Sequence, residues 1–208
     1  MGLKERRARE REQRKQLIIS AARRLLLEKG LSGTSMNQIA KRAELAIGTV
    51  YFYFNSKEAL FASLQQEGLE LLFKQIQHDC KREEDPAAKL RRTAAVYRRF
   101  SLDQKDYFDI INYFLSAPEV MLGAELKQEV DRHGDRILSF IADVVRSGTE
   151  QGRFVCRHPY RFAVMFWGAC HGLVQFRKFD STMLKGRSEK DVYRYAVDRM
   201  ITGLANEH

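Results

Sequence analysis

At 208 residues and 44% hydrophobic content the chain can bury a sizeable core, and with no uninterrupted apolar run of about 18 residues and no apolar stretch near its start, neither a membrane span nor a secretory signal is expected. Three widely spaced cysteines, Cys80, Cys156 and Cys170, form no CxxC pair, which excludes a disulfide scaffold and fits reduced thiols in the cytoplasm. The net charge of +9 is concentrated: residues 1–57 carry 13 Lys and Arg against 5 Asp and Glu, a balance of +8, while the remaining 151 residues balance to +1. That local excess is the electrostatic footprint of a polyanion-binding module.

Only three prolines and thirteen glycines interrupt long stretches of good helix formers, so an all-α fold of about nine helices is expected. Lys4 to Lys15 alternate basic and acidic residues with no apolar stripe, which predicts a disordered arm or a frayed helical extension. Leu17, Ile18, Ala21, Ala22, Leu25 and Leu26 recur on one helix face that Gly30 ends. Thr34 and Ser35 can cap a second helix with a Met36, Ile39, Ala40 and Ala43 stripe. After a break at Glu44, Leu45 and Ala46, a third short helix runs from Ile47 to Tyr53, with Ile47, Val50, Tyr51 and Phe54 partly inward. Two short helices joined by such a turn are a helix-turn-helix pattern.

Asn55 and Ser56 stop that helix and cap a longer one, Lys57 to about Cys80, striped by Leu60, Phe61, Leu64, Leu71 and Leu72. Pro86 then opens a helix at a first-turn position, and the pattern predicts helices at about Ala87 to Leu102, Asp106 to Leu115, Glu119 to Gln151, Pro159 to Phe179 and Glu189 to Asn206. The Pro159 to Phe179 helix is apolar on two faces, which predicts burial on two sides.

The segment from Ile18 to Leu64, IISAARRLLLEKGLSGTSMNQIAKRAELAIGTVYFYFNSKEALFASL, resembles the DNA-binding domain of the TetR family of transcriptional regulators. The Ala-rich first helix ending in EKG, the TSMNQIAKRA second helix, the GTVYFYF third helix and the NSKEALF entry to the fourth carry the resemblance together. It implies a two-domain, all-α homodimer: a basic arm and helix-turn-helix reader in residues 1–57, and a helical effector-binding and dimerisation domain in 58–208. The family's third helix lies in the major groove, while the starts of the second and fourth hold phosphates. On that pattern Gly48 permits close approach, Thr49 faces base edges, Tyr51 and Tyr53 offer hydroxyls, and Lys57 clamps a phosphate. Thr34 and Ser35 serve the second helix, with Lys41 and Arg42 as flank contacts. Tyr51 reads equally well as core, and Phe54 reads as core.

Three departures stand out. Ile47 replaces an early Lys or Arg, and Ala46 and Phe52 also lack polar readers, so hydroxyls and contact with thymine methyls must carry more of the sequence preference. An arginine arm in a neighbouring minor groove could add to it. Glu44 stands where glycine is usual, and a left-handed conformation there costs roughly 1–2 kcal/mol.

Tyr97, Phe100, Phe108, Tyr113, Phe114, Met121, Phe140, Trp167 and His171 make the second domain aromatic, which suits a pocket for a small apolar effector, a fatty acyl or aromatic compound, although ordinary core accounts for most of them. His171 reads either as a ligand anchor or as a satisfied structural group. Gly168, Gly172, Val197 and Ile201 are expected at a dimer interface. His78, Cys80, Cys156 and His158 match zinc by residue type only; on a helix, side chains two apart point to different faces, so no metal and no cofactor is expected. No GxSxG, HExxH or dinucleotide fingerprint suggests an enzyme, and the arm lacks the apolar face of a membrane-surface module. The expected partner is a palindromic duplex operator.

Overall fold

The computed structural model describes residues 2–30, 32–116, 124–179, 184 and 186–205. Its elements are α1 (Leu3–Lys29), α2 (Met36–Arg42), α3 (Ile47–Tyr53), α4 (Lys57–Cys80), α5 (Pro86–Asp103), α6 (Lys105–Ser116), α7 (Ala124–Glu150), α8 (Pro159–Gln175) with a 3-10 turn at Phe176–Phe179, and α9 (Glu189–Thr202). The expected all-α fold is what forms, and the described residues hold no strand beyond an isolated antiparallel bridge of Phe154 with Ala205. The expected start of α7 at Glu119 and end of α9 at Asn206 lie outside the described residues.

Local chemistry accounts for the boundaries. Gly30 takes a positive φ of 69° where α1 ends, a conformation glycine adopts without a Cβ penalty. Ser35, not Thr34, is the N-cap of α2: its hydroxyl accepts from the Gln38 N–H at 3.3 Å, and Gln38 reaches back to the Ser35 N–H at 2.9 Å. Asp85 accepts from the Ala88 N–H at 2.9 Å ahead of Pro86, and the Ser56 hydroxyl accepts from the Ala59 N–H at 3.1 Å at the head of α4. The arm is not a coil: α1 runs unbroken from Leu3 through it.

The chain divides into two compact units, one of residues 1–69 with 106–130, the other of residues 70–105 with 131–208. A division after residue 57 would leave α4 beyond its first residue, and all of α6, with the second domain; the compact reader unit instead keeps the first half of α4 and takes in α6 from its second residue. The reason is packing. Ile18, Ala22, Leu25, Ile39, Val50, Leu60, Phe61 and Leu64 form the reader's core, and Ile110 of α6 is buried in the same cluster. Tyr113 and Phe114 pack against it. Leu17, assigned by periodicity to the α1 stripe, is 52% exposed, because the buried face of α1 centres on Ile18 and Ala22.

In the other unit α5, α8 and α9 pack on one another. Glu189 at the head of α9 is buried and accepts from Arg98 of α5 through Nε and Nη2, the latter at 2.7 Å, a two-point charge-assisted contact. The backbone oxygen of Gly148 accepts from the N–H groups of Arg153 and Phe154, and a Cβ on Gly148 would stand 2.2 Å from the Phe154 ring, so only glycine fits that turn unchanged.

The turn between α2 and α3 resolves the question posed by Glu44, which adopts a φ of 55°. The Leu45 N–H donates to Ala40 O at 3.0 Å and the Glu44 N–H to Lys41 O at 3.3 Å, the paired bonds that close a helix through a left-handed residue. Leu45 then tucks against the reader's core. These contacts offset the left-handed cost without removing it. Replacing Glu44 with Gly is therefore expected to raise stability by about 0.5–1 kcal/mol, the steric relief of roughly 1–2 kcal/mol exceeding the extra backbone entropy. Urea denaturation should show a higher midpoint at unchanged slope, and an unchanged or lower midpoint would mean that Glu44 is not strained.

Candidate DNA interface and effector domain

In the reader unit, α3 rests on Val50, with Phe54 just beyond its end; both are buried, and the helix presents its opposite side to solvent. Gly48 is exposed, and a Cβ there would meet nothing within 4 Å. Tyr51 is 52% exposed and Phe52 72%, while Thr49 and Tyr53 are half-buried at the edges of this face. Of the four residues expected to face partly inward, Ile47 and Tyr51 turn outward: α3 has less than two turns and only one neighbouring core to cover, so Val50 with Phe54 suffices as its underside. The outward surface thus combines two hydroxyl-bearing side chains, Thr49 and Tyr51, with the apolar Ile47 and Phe52. That composition can meet base edges through hydroxyls and thymine methyls through carbon.

The flanking groups are placed as follows. Ser35 and Lys41 are exposed at the two ends of α2. Thr34 is buried and its hydroxyl donates to Gly30 O at 2.8 Å, so it fastens the α1–α2 connection and presents no donor outward. Arg42 Nη1 donates to Glu28 at 2.5 Å, and this hydrogen bond holds the Glu28 carboxyl below its ordinary range. Lys57 is half-buried in the first turn of α4, where the positive end of the helix dipole adds to its charge.

Two features of this unit were not read from the sequence. Arg11, on the α1 extension, lies 5.8 Å from the centroid of the Phe52 ring, which brings the basic arm beside the exposed face of α3. Arg23 of α1 stacks on Tyr107 of α6 at 4.2 Å, donates to the Tyr107 hydroxyl at 2.5 Å and reaches Glu67 of α4 at 3.5 Å. Burial, helped by Glu67, raises the Tyr107 hydroxyl to about 12, so it stays protonated. Gly68 makes the approach possible: a Cβ there would stand 3.1 Å from the Tyr107 ring. A glycine inside the α4 pattern was the available signal for a close helix neighbour.

The residues expected to line an effector pocket divide between the units. Phe108 is buried in the reader unit, where Tyr113 and Phe114 meet edge to face at 6.0 Å and lean on its core; Met121 lies outside the described residues. In the other unit Tyr97 and Phe100 are fully buried, the Tyr97 ring lies 4.4 Å from Trp167, and Phe140 meets Phe73 edge to face at 6.2 Å. Tyr97 and His171 share a hydrogen bond of 2.6 Å at Nδ1. Burial raises the Tyr97 hydroxyl and lowers the His171 imidazole, so both are neutral. The Tyr193 hydroxyl is committed to Ala94 O at 2.8 Å. A groove of about 450 Å³ runs between α5 and α9 over Ala94, Leu102, Tyr193 and Val197.

Of the expected dimer residues, Gly168 is exposed and Gly172 half-buried, each with open space where a Cβ would stand. They share the outer side of α8 with Val164 and Met165, which are about half exposed. Val197 and Ile201 turn the other way and are buried in their own unit, leaving Tyr195 as the exposed aromatic of α9. No helix among the described residues is long and apolar enough to cross a membrane.

A family model for bacterial regulatory proteins of the tetR family matches residues 18–64, and a model of a tetracyclin repressor-like C-terminal domain matches residues 90–201, more than half of the chain. The fatty acid metabolism regulator protein of Bacillus subtilis is 29% identical over 135 residues, 65% of this chain and 68% of that protein. Matches to the next two relatives span 34% and 45% of those proteins. Among solved structures, the transcriptional regulator FadR of Bacillus subtilis in complex with stearoyl-CoA superposes with a TM-score of 0.75 at 20% identity, over 91% of this chain and 98% of that one. AibR in complex with isovaleryl coenzyme A and operator DNA superposes at 0.71 and 20% identity, over 89% and 97%. Read with a helix-turn-helix whose outward face is free and whose underside is core, these matches place the chain in the TetR family of DNA-binding transcriptional regulators.

Proposed function

We propose that this regulator is a cytoplasmic homodimeric repressor that holds a palindromic operator through two copies of α3 and lets go when its helical domain binds a small apolar or amphipathic effector. The observation that carries the DNA half is the free outward face of α3, with Gly48, Thr49, Tyr51 and Phe52 exposed or half-exposed above a buried Val50. Thr49 and the Tyr51 and Tyr53 hydroxyls read or position on the duplex, while Lys57, Ser35 and Lys41 meet phosphates. Thr34 acts only through the turn it fastens, and Arg42 reaches DNA only by exchanging Glu28 for a phosphate. Regulation rather than catalysis accounts for the chain, since the relatives it matches are regulators.

For the effector, an acyl-CoA ester is the favoured class. Supporting it are the likeness to a fatty acid metabolism regulator and to structures with stearoyl-CoA and isovaleryl coenzyme A, together with the Tyr97, Phe100 and Trp167 cluster. His171, neutral and hydrogen-bonded to Tyr97 at Nδ1, is the polar group that this cluster offers to an ester or thioester carbonyl. An effector moves operator affinity only through its different affinity for the two states, and the path is the backbone that both units share along α4 and α7 and at the α5–α6 junction.

For the dimer, the outer face of α8 supplies the contact. Gly168 and Gly172 allow close helix approach, Val164 and Met165 supply apolar area, and Tyr195 of α9 joins them in place of Val197 and Ile201.

Selection from random duplexes should return a palindrome with half-sites about one helical turn apart, roughly 34–36 Å. Against that duplex Lys57→Ala should weaken all sequences alike and flatten the salt slope by about 1 per contact, whereas Thr49→Ala should relax preference at one position by about 1–3 kcal/mol. Loss of one and the same kind in both variants would remove the assignment of separate roles. At the interface, Gly172→Arg puts a charge into an apolar contact at a cost of several kcal/mol, so light scattering should find a monomer and gel shifts no operator complex at physiological salt. An intact dimer would take Gly172 out of the interface.

A further inference from the structure

The first fifteen residues of α1 lie outside the matched family segment, yet they continue its helix without a break. Their basic residues are not spread evenly. Lys4, Arg7, Arg11 and Arg14 are spaced three and four apart, in register with Ile18, Ala22 and Leu25 further along the helix. Ile18, Ala22 and Leu25 are the buried face of α1, the face that closes the reader's core. The same side of the helix is therefore apolar where it covers the core and basic where it runs past it.

The acidic residues of the extension stand off this face: Glu5 and Glu12 sit on the opposite side, and Glu10 pairs with Arg6 on a flank at 3.0 Å. All four cations of the row are exposed. Arg11, in its middle, lies over the Phe52 ring at 5.8 Å, and Phe52 is the most exposed of the large apolar side chains of α3. The row thus looks to the side on which α3 is open.

We propose that the α1 extension is a second DNA-contacting element, whose Lys4, Arg7, Arg11 and Arg14 row takes backbone phosphates of the duplex beside the bases that α3 reads. The inference rests on the DNA-binding reading of α3 and adds to it. The occupant follows from charge and continuity: a cationic row with no acid in it adjoins the reading face, and a duplex offers a negative charge every 1.7 Å of axis. From Ile18 to Lys4 the helix rises about 21 Å, at 1.5 Å per residue, enough to track several phosphates. The arrangement also answers the scarcity of charged readers on α3. Affinity comes from the row, and the sequence preference is left to hydroxyls and apolar side chains.

The test compares two double variants of equal charge loss in the full-length protein: Arg7→Gln with Arg11→Gln on the row, and Arg6→Gln with Arg9→Gln off it. Both are read by hydroxyl-radical footprinting and by salt titration on a 40-bp duplex carrying the palindrome selected by the wild type, with circular dichroism to verify that both keep their helix. The row variant is expected to lose backbone protection next to the half-sites while protection over the half-sites themselves is kept. Its salt slope should flatten by about 4, at about 0.9 for each of four phosphates in the dimer, with at least a tenfold loss of affinity at 150 mM salt. The off-row variant should keep the wild-type footprint and lose less than half of that slope. Equal losses in the two variants, or an unchanged footprint in the row variant, would overturn the proposal while leaving α3 as the reader. A wild type that selects no palindrome would instead fail the DNA-binding reading itself.

Discussion

The reader's core is closed by a helix that comes from much later in the chain. Ile110 of α6 is buried among Ile18, Ile39, Leu60 and Leu64, and Tyr107, one turn earlier, is held between Arg23 of α1 and Gly68 of α4. Three helices therefore meet at Arg23, which stacks, donates to a hydroxyl and reaches a carboxylate at once. Its Nε has no hydrogen-bond partner there, a polar cost the contact carries in exchange for a fixed α1–α6 spacing. Ile110 shares this cluster with Val50 and Phe54 at the underside of α3, so α6 is part of the core on which α3 rests. Backbone passes from one compact unit to the other at residues 69/70, 105/106 and 130/131. A repacking in the helical unit thus acts directly on the chain that enters α6 and on the second half of α4.

The chemistry of the DNA-facing surface divides labour in an unusual proportion. Charge is supplied from the arm, the start of α4 and the end of α2, and none of it sits on α3. In the proposed mode of binding α3 offers shape, two or three hydroxyls and apolar carbon, so that specificity would come from contacts worth about 1–3 kcal/mol each while phosphates supply most of the affinity. Glu44 fits the same economy of means: a left-handed non-glycine residue is tolerated because two backbone bonds and the burial of Leu45 hold the turn in place.

Much of this was legible in the sequence, for a physical reason. Helix periodicity, caps and glycine breaks are local, so Ser35, Pro86, Gly30 and the α2 stripe read correctly from neighbouring residues alone. The failures are all matters of which neighbour a face meets. Leu17 belongs to the α1 stripe by spacing, but the core it would face ends one residue away. Ile47 and Tyr51 are apolar enough for a core and are exposed because α3 is covered on one side only. Val197 and Ile201 share a stripe with true core residues, and spacing cannot say whether a stripe meets its own unit or a partner. Tyr113 and Phe114 read as part of the effector pocket because they belong to the aromatic middle of the second domain; their packing on the reader depends on contacts some fifty to ninety residues distant, for which Gly68 alone gave a hint.

The central claim is that effector binding in the helical domain and operator binding at α3 are opposed through the shared helices. Calorimetric titration of stearoyl-CoA into the dimer, free and saturated with its selected operator, tests this most directly when paired with the titration of operator into free and stearoyl-CoA-bound protein. The account predicts that each ligand weakens the other by the same factor, about 5–150-fold for a coupling of about 1–3 kcal/mol. Stearoyl-CoA that binds tightly and leaves operator affinity unchanged would contradict it.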